Sequence, residues 1–284
     1  MTIQKDIVQK TLSDLEEQYV AFMVSHFEAW RAWADAAQRM ADGEAVKPEE
    51  VPEVFAHEYE FTRVLLEMDH QKSFNWSDPR IRAFFAGVAQ SPFYTFWGTM
   101  ICEVAMRLSA LFGVKTLLEI GAGSGNLTAT MLAKLASSTT NLPLVITDAH
   151  PVVLENMSKL REQYPAIPCS TLLWDITAPP PAELHAVLTP PVLLYERATI
   201  TYANWRSIEN FSAFADVLVL GDYFNYTGEL FAYDFIFEKI GAKPLLYRDV
   251  KTVLDACFTH HYILDAGVYE KIGLPNITLT IAWK

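Results

Sequence analysis

The sequence has little positive charge, few cysteines and no long apolar run. Its 22 Lys and Arg stand against 34 Asp and Glu, a formal net charge of -12, so its summed field repels phosphate backbones. A nucleic-acid partner is therefore not expected. The densest basic stretch, Lys239, Lys243, Arg248 and Lys251, is scattered and reads as solvated surface. The three cysteines, Cys102, Cys169 and Cys257, lack CxxC spacing and are odd in number, which fits free thiols in a reducing compartment. No uninterrupted run of 18 apolar residues occurs, and the first residues lack the apolar core of a signal peptide. The expectation is a cytoplasmic protein without a membrane partner. His57, His70, His150 and His185 are scattered, and His260 and His261 would face opposite sides of a strand, so no metal site is expected. His57 or His70 stays open as a general base. No internal repeat occurs, and "APPPAE" is the one low-complexity stretch.

With 284 residues and 51% hydrophobic composition, the chain can bury one large core with a smaller layer appended. Its texture changes near Gly113. Before that point the periodicity is helical: Leu12, Leu15, Tyr19, Phe22, Trp30, Trp33 and Met40 predict one long amphipathic helix stopped by Asp42-Gly43. His26, beside that stripe, reads as a core or edge residue. After the break at "KPEEVPEVF", Phe55, Tyr59, Val64, Leu65 and Met68 predict a second helix. "WSDPR" predicts the start of a short third one, running through Ala89. Ser91-Pro92 opens a fourth, whose wide apolar stripe runs from Phe93 to Leu111 and ends at Gly113.

After Gly113, "KTLLEIG", "PLVITD", "CSTLLWD", "PVLLYE" and "DVLVLGDY" are apolar nearly throughout, as strands covered on both faces must be. Helical spacing in "LTATMLAKLA", "PVVLENMSKLREQY" and "NWRSIENFSAF" separates them. The alternation predicts an α/β fold with a doubly wound, Rossmann-like sheet. "HHYILDAGVY" and "NITLTIAWK", joined by a short Gly-Pro loop, predict a terminal antiparallel hairpin.

In a doubly wound sheet ligands gather at the carboxyl ends of the strands. "LLEIGAGSGNLT" places Gly121, Gly123 and Gly125 at that edge, where glycine lets the backbone turn sharply and approach a ligand. Three glycines in five positions cost backbone entropy and have little structural return other than a ligand. A dinucleotide fingerprint needs glycine three residues after Gly123, and Asn126 stands there instead. The pattern is E-x-G-x-G-x-G, and the anionic Glu119 suits a cationic ligand end better than a pyrophosphate.

Glu119-Ile120-Gly121-Ala122-Gly123-Ser124-Gly125, with Asp148 ending the next predicted strand and Asp175 the third, resembles the class I S-adenosylmethionine-dependent methyltransferases. The resemblance covers roughly residues 90 to 284. It implies a cofactor-binding methyltransferase domain over 91–284, and the helical periodicity before it marks residues 1–90 as an N-terminal lid region serving the substrate or dimerisation. S-adenosylmethionine is the cofactor implied. Gly121 and Gly123 would pass under its methionine and ribose portion, Gly125 would open the next helix, and Glu119 would lie near the amino end. Asp148 would accept from both ribose hydroxyls, and Ala122, Gly125 and Ala149 are counted with the cofactor-binding residues. Asp175 would accept from the adenine amino group, with Trp174 or Ile176 against the ring. Tyr94, off the main stripe of its helix, would reach the cofactor's carboxylate or the acceptor. Asp148 and Asp175 compete with a simpler role, capping the next helix or turn.

The acceptor should approach the loop after the fourth strand, "YERATITY". There Glu196 could take a proton and Arg197 could hold an anionic acceptor. Tyr202, Tyr195, Asp222, Tyr223 and Asn225 are further pocket candidates. "TPPVLLY" departs from the Asn/Asp-Pro-Pro-aromatic motif of amino-methylating enzymes at Thr189 and Val192 and precedes its strand, so it is rejected. The expected function is methyl transfer to a small-molecule acceptor in biosynthetic metabolism, on O, N or C. Two alternatives stay open: transfer of the cofactor's aminocarboxypropyl group, and a binding or regulatory subunit that does not catalyse. The exposed remainder of the first helix could pair two copies as a homodimer.

Overall fold

The computed structural model describes residues 3–67, 79, 82, 86–87, 90–202, 205–222, 224–225, 245–264 and 278–284, with the side chains at 65, 201, 202, 224, 225, 245 and 278 outside the described set. The predicted third helix, His70, Tyr223 and the loop of the terminal hairpin fall largely or wholly outside these residues.

Five parallel strands form most of one sheet: β1 (Thr116–Ile120), β2 (Leu144–Asp148), β3 (Cys169–Leu173), β4 (Val192–Arg197) and β5 (Val217–Asp222). β8 (His260–Ile263) and β9 (Thr278–Trp283) complete it as the antiparallel pair that the sequence predicts. The order is β3-β2-β1-β4-β5-β9-β8, with β9 antiparallel to β5 as well. β1, β2 and β5 are buried along their whole length, which is why their sequences are apolar runs without alternation. The two-residue strands Phe224–Asn225 (β6) and Leu245–Leu246 (β7) pair in parallel apart from the main sheet.

Helices cover both faces. On one lies α4 (Pro92–Phe112), preceded by α1 (Lys5–Ser25), α2 (Phe27–Ala41) and α3 (Ala56–Glu67), and followed by α5 (Asn126–Ser137) and α6 (Pro151–Arg161). Their apolar sides share a core cluster with Leu117, Leu193, Val217 and Val219 of the sheet. The alternate strand residues, Leu118, Leu194, Leu218 and Leu220, join a second cluster on the other face. That cluster is closed by residues of α7 (Ala182–Val187), α8 (Thr199–Tyr202), α9 (Ser207–Ser212) and α10 (Tyr247–Cys257). No described helix is long and apolar enough to cross a membrane.

α4 starts and stops where its sequence signals stand. The Ser91 Oγ accepts from the Tyr94 N–H at 3.0 Å, and Pro92 occupies the first turn. Gly113 ends the helix with φ 62°, the left-handed cap that favours glycine.

The single helix predicted over Leu12 to Met40 is instead two. His26 leaves helical geometry at φ -107°, ψ 11°. The Ser25 hydroxyl and the His26 Nδ1 both engage the Phe22 carbonyl at 2.8 Å, and this local side-chain competition for a helix carbonyl turns the chain. α1 is tied to distant parts of the fold: Arg107 of α4 donates to Asp14 and to the Thr11 carbonyl, and the Trp283 indole donates to the Ile3 carbonyl at 2.9 Å.

Candidate active site

The sheet order reverses between β1 and β4, and the carboxyl ends of these strands flank a crevice. β1 runs into the glycine loop, where Gly121, Gly123 and Gly125 have φ of 64°, 52° and 80°, a region that L side chains rarely adopt. Protein neighbours also demand two of them. A Cβ on Gly121 would lie 2.4 Å from the Thr199 Oγ1, and one on Gly125 2.4 Å from the Met157 Cε. These glycines therefore have a structural reason that sequence reasoning did not credit: they let the β4 loop and α6 close on the turn.

Asp148, at the end of β2, braces this loop. Its Oδ2 accepts from the Gly123 N–H at 3.0 Å and its Oδ1 from the His150 N–H at 2.9 Å. Each oxygen thus uses one acceptor position and retains another. Burial raises its pKa, and the Gly123 and His150 N–H groups oppose the rise. Ala149 beside it is exposed, and Ala122 is buried. Asp175 is exposed after β3; its Oδ1 accepts from the Thr177 N–H at 2.9 Å and hydroxyl at 2.7 Å, so it holds a local turn with Oδ2 to spare. Trp174 and Ile176 are buried in the second core cluster. The Trp174 indole donates to the Ala178 carbonyl at 3.1 Å and tilts against Phe214.

Glu119 is fully buried beneath the loop. The Thr128 and Tyr195 hydroxyls donate to its two oxygens, each at 2.8 Å, joining β1 to α5 and β4. Burial pushes its pKa up to about 7 against these two hydrogen bonds. Tyr195, a pocket candidate by sequence, is committed to this contact inside the fold.

Across the crevice, the Arg197 guanidinium lies 4.0 Å above the Tyr94 ring and its Nη1 donates to the Tyr94 carbonyl at 3.2 Å. Gly98 makes room for it, since a Cβ there would stand 2.6 Å from that nitrogen. Glu196 alternates to the opposite face of β4 and is fully buried. Its Oε2 accepts from the Thr199 N–H at 2.7 Å, while Oε1 has no hydrogen-bond partner among the described residues. Burial and then the neighbouring Asp222 carboxylate raise the Glu196 pKa well above the carboxylate range. Two buried carboxyls on adjoining strands thus resist carrying two negative charges. Tyr202 ends α8, and its side chain and that of Asn225 lie outside the described set.

The Tyr94 phenol joins these groups. Its pKa is raised by burial above all, lowered by Arg197, and raised by Asp222, Glu58 and Glu196. Tyr94, Arg197, Glu196 and Asp222 were candidates from the sequence. Glu58 of α3 was not, although it stands three residues after Phe55 and one before Tyr59 on the stripe that predicts that helix. His57 is exposed on the same helix.

No protein-family profile and no curated protein matches the chain. Solved structures do. The citrinin polyketide synthase CMeT domain is 19% identical with a TM-score of 0.63, over 81% of this chain and 65% of its own. This chain therefore spans about two thirds of that protein's length. DszA carbon methyltransferase is 14% identical with a TM-score of 0.60, over 88% of this chain and 69% of its own. The trans-methyltransferase CalH in complex with SAH is 14% identical with a TM-score of 0.51, over 92% of both chains. Strand order, terminal hairpin and these likenesses agree: the chain has the fold of the class I S-adenosylmethionine-dependent methyltransferases.

Proposed function

We propose that this chain transfers the methyl group of S-adenosylmethionine to a small-molecule acceptor of biosynthetic metabolism, and that the acceptor atom is a carbon that must lose a proton. The observation that carries this reading is the buried pair Glu196 and Asp222 at the crevice end of β4 and β5. DszA, one of the similar structures, is a carbon methyltransferase by description, which agrees with a base at this place.

The residues present fit the cofactor. The left-handed glycine loop brings backbone, not side chain, to the crevice, and the spare acceptor positions of Asp148 and Asp175 suit the ribose hydroxyls and the adenine amino group. Ala122 and Ala149 flank the first of these contacts, and Trp174 and Ile176 back the second from the core. Glu119 ties the loop's strand to α5 and β4 from below through the Thr128 and Tyr195 hydroxyls. The cofactor brings a methyl group on a sulfonium, and positioning and proton transfer are left to the chain. Burial and the Asp222 carboxylate raise the Glu196 pKa, and with two carboxyls resisting a second negative charge, one of them would take the proton that the acceptor gives up. Arg197, fixed over Tyr94, stabilises the negative charge this leaves on the acceptor. Tyr202 borders the same loop.

Incubating the protein with a metabolite extract and methyl-labelled S-adenosylmethionine tests this reading. One small molecule is expected to gain the labelled methyl on carbon, as fragmentation mass spectrometry shows. Gain of an aminocarboxypropyl group would reassign the reaction. Cofactor binding without label transfer would make the chain a binding subunit.

A further inference from the structure

Among the described residues, Glu58, Thr62 and Trp30 of the N-terminal helices carry buried polar atoms without a hydrogen bond of good geometry. Glu58 is 1% exposed and Thr62 is 0% exposed, and among the described residues neither Glu58 carboxyl oxygen nor the Thr62 hydroxyl meets a partner within hydrogen-bonding geometry. Their i, i+4 spacing places both on one face of α3. On α2, which packs against α3, the Trp30 Nε1 is also buried without a partner. Its ring meets Phe55 and Phe93 edge-on, at centroid distances of 4.6 and 4.9 Å. The Ser91 hydroxyl, whose oxygen accepts from the Tyr94 N–H, keeps its O–H to donate toward Glu58 and lowers the Glu58 pKa against burial, which leaves most of the carboxyl's acceptor positions open.

Buried polar groups in native proteins are nearly always satisfied, and unpaired ones are costly. A carboxyl, a hydroxyl and an indole N–H left over in one helical layer, amid aromatic rings, mark a place that another molecule completes. Its position relates it to the crevice. Glu58 acts on the Tyr94 phenol, which Arg197, Asp222 and Glu196 also act upon. α3 is held chiefly by α2 and by the turn at Glu53–Phe55, not by the sheet.

We propose that Glu58, with Thr62, binds the far end of the acceptor, and that this end is an aromatic or apolar body bearing a hydroxyl or amine donor; only the word acceptor rests on the methyl-transfer reading. Burial holds the Glu58 pKa near 7, so close to neutrality the carboxyl can accept from either donor, and the Thr62 hydroxyl can return a hydrogen bond. Trp30, Phe55 and Phe93 supply the apolar wall.

Four probes of one shape test this: toluene, benzyl alcohol, benzylamine and benzoate, each titrated calorimetrically into the full chain and into Glu58→Leu and Glu58→Gln. Benzyl alcohol and benzylamine are expected to bind the unaltered chain, and toluene and benzoate at least about 10-fold more weakly. Glu58→Leu should lower affinity for both donors about 10-fold or more. Glu58→Gln, nearly isosteric and neutral, should weaken benzylamine more than benzyl alcohol. S-adenosylhomocysteine affinity should be the same in all three proteins. Toluene binding as well as benzyl alcohol, or donors binding all three proteins equally, would overturn the proposal, and a place that merely traps water gives that second result. Failure of S-adenosylhomocysteine to bind the unaltered chain would count against the methyl-transfer reading instead, leaving the probe result intact.

Discussion

Glu196→Gln is expected to lower methyl transfer about 10²–10⁴-fold while leaving S-adenosylhomocysteine affinity unchanged. The substitution is nearly isosteric, and the new amide oxygen can still accept from the Thr199 N–H that now meets Oε2 at 2.7 Å. The turn into α8 is therefore kept. What is lost is one of the two carboxyls. In the native pair burial and the Asp222 carboxylate raise the proton affinity of Glu196, whereas a Gln amide at this position cannot take up a proton. Asp222→Asn should cost a similar factor, and the double variant little more, because the pair acts as one unit. Turnover measured at saturating cofactor checks this. Full activity in Glu196→Gln would reduce Glu196 to a cap on the β4 loop and move the base to another group.

The second large effect is on stability. The pKa values of Glu58 and Glu119 are each raised by burial from 4.5 to about 7. Between those two pH values the folded chain keeps protons that the unfolded chain has released, so stability falls as pH rises through this window. Each shift is worth roughly 3 kcal/mol. The stability is present in full below about pH 4.5 and lost above about pH 7. Asp14 and Glu103, held low by Arg107 and Lys134, act in the opposite direction but titrate below the window. Denaturant unfolding from pH 5 to 8 should show the decline, to which the raised carboxyls of Asp148 and Glu196 add, and Glu119→Gln should make it shallower. A flat or rising profile, identical in the variant, would show that these carboxyls do not hold their protons on folding.

Much of the architecture can be read from local sequence. Ser91-Pro92 and Gly113 bound α4 because capping is decided within one turn. The strands declare themselves because a sheet covered on both faces admits no alternation. α10 was not anticipated, although Val250, Val253 and Leu254 give it an apolar side; short helices leave little periodicity to detect. The break at His26 was missed because it depends on two side chains competing for one carbonyl.

At the site, the glycine loop and the strand-end Asp148 were legible because their motif is local. Their packing was not. Thr199 over Gly121 and Met157 over Gly125 come from elements far along the chain. Likewise, no spacing in the sequence links Glu196 to Asp222, whose meeting depends on β4 lying beside β5. Glu58 left one faint signal, a charged residue within an apolar stripe, which burial turns into an observation.

Whether the glycine loop and Asp148 hold S-adenosylmethionine is the central claim, and calorimetric titration of S-adenosylhomocysteine into the native chain and Asp148→Ala tests it most directly. The native chain should bind one equivalent. The variant should bind more weakly by roughly 1–3 kcal/mol, the cost of losing hydrogen bonds to a charged acceptor, while remaining folded. No binding to the native chain, or equal binding to both proteins with a loss of stability in the variant, would contradict the account and leave Asp148 a brace between Gly123 and His150.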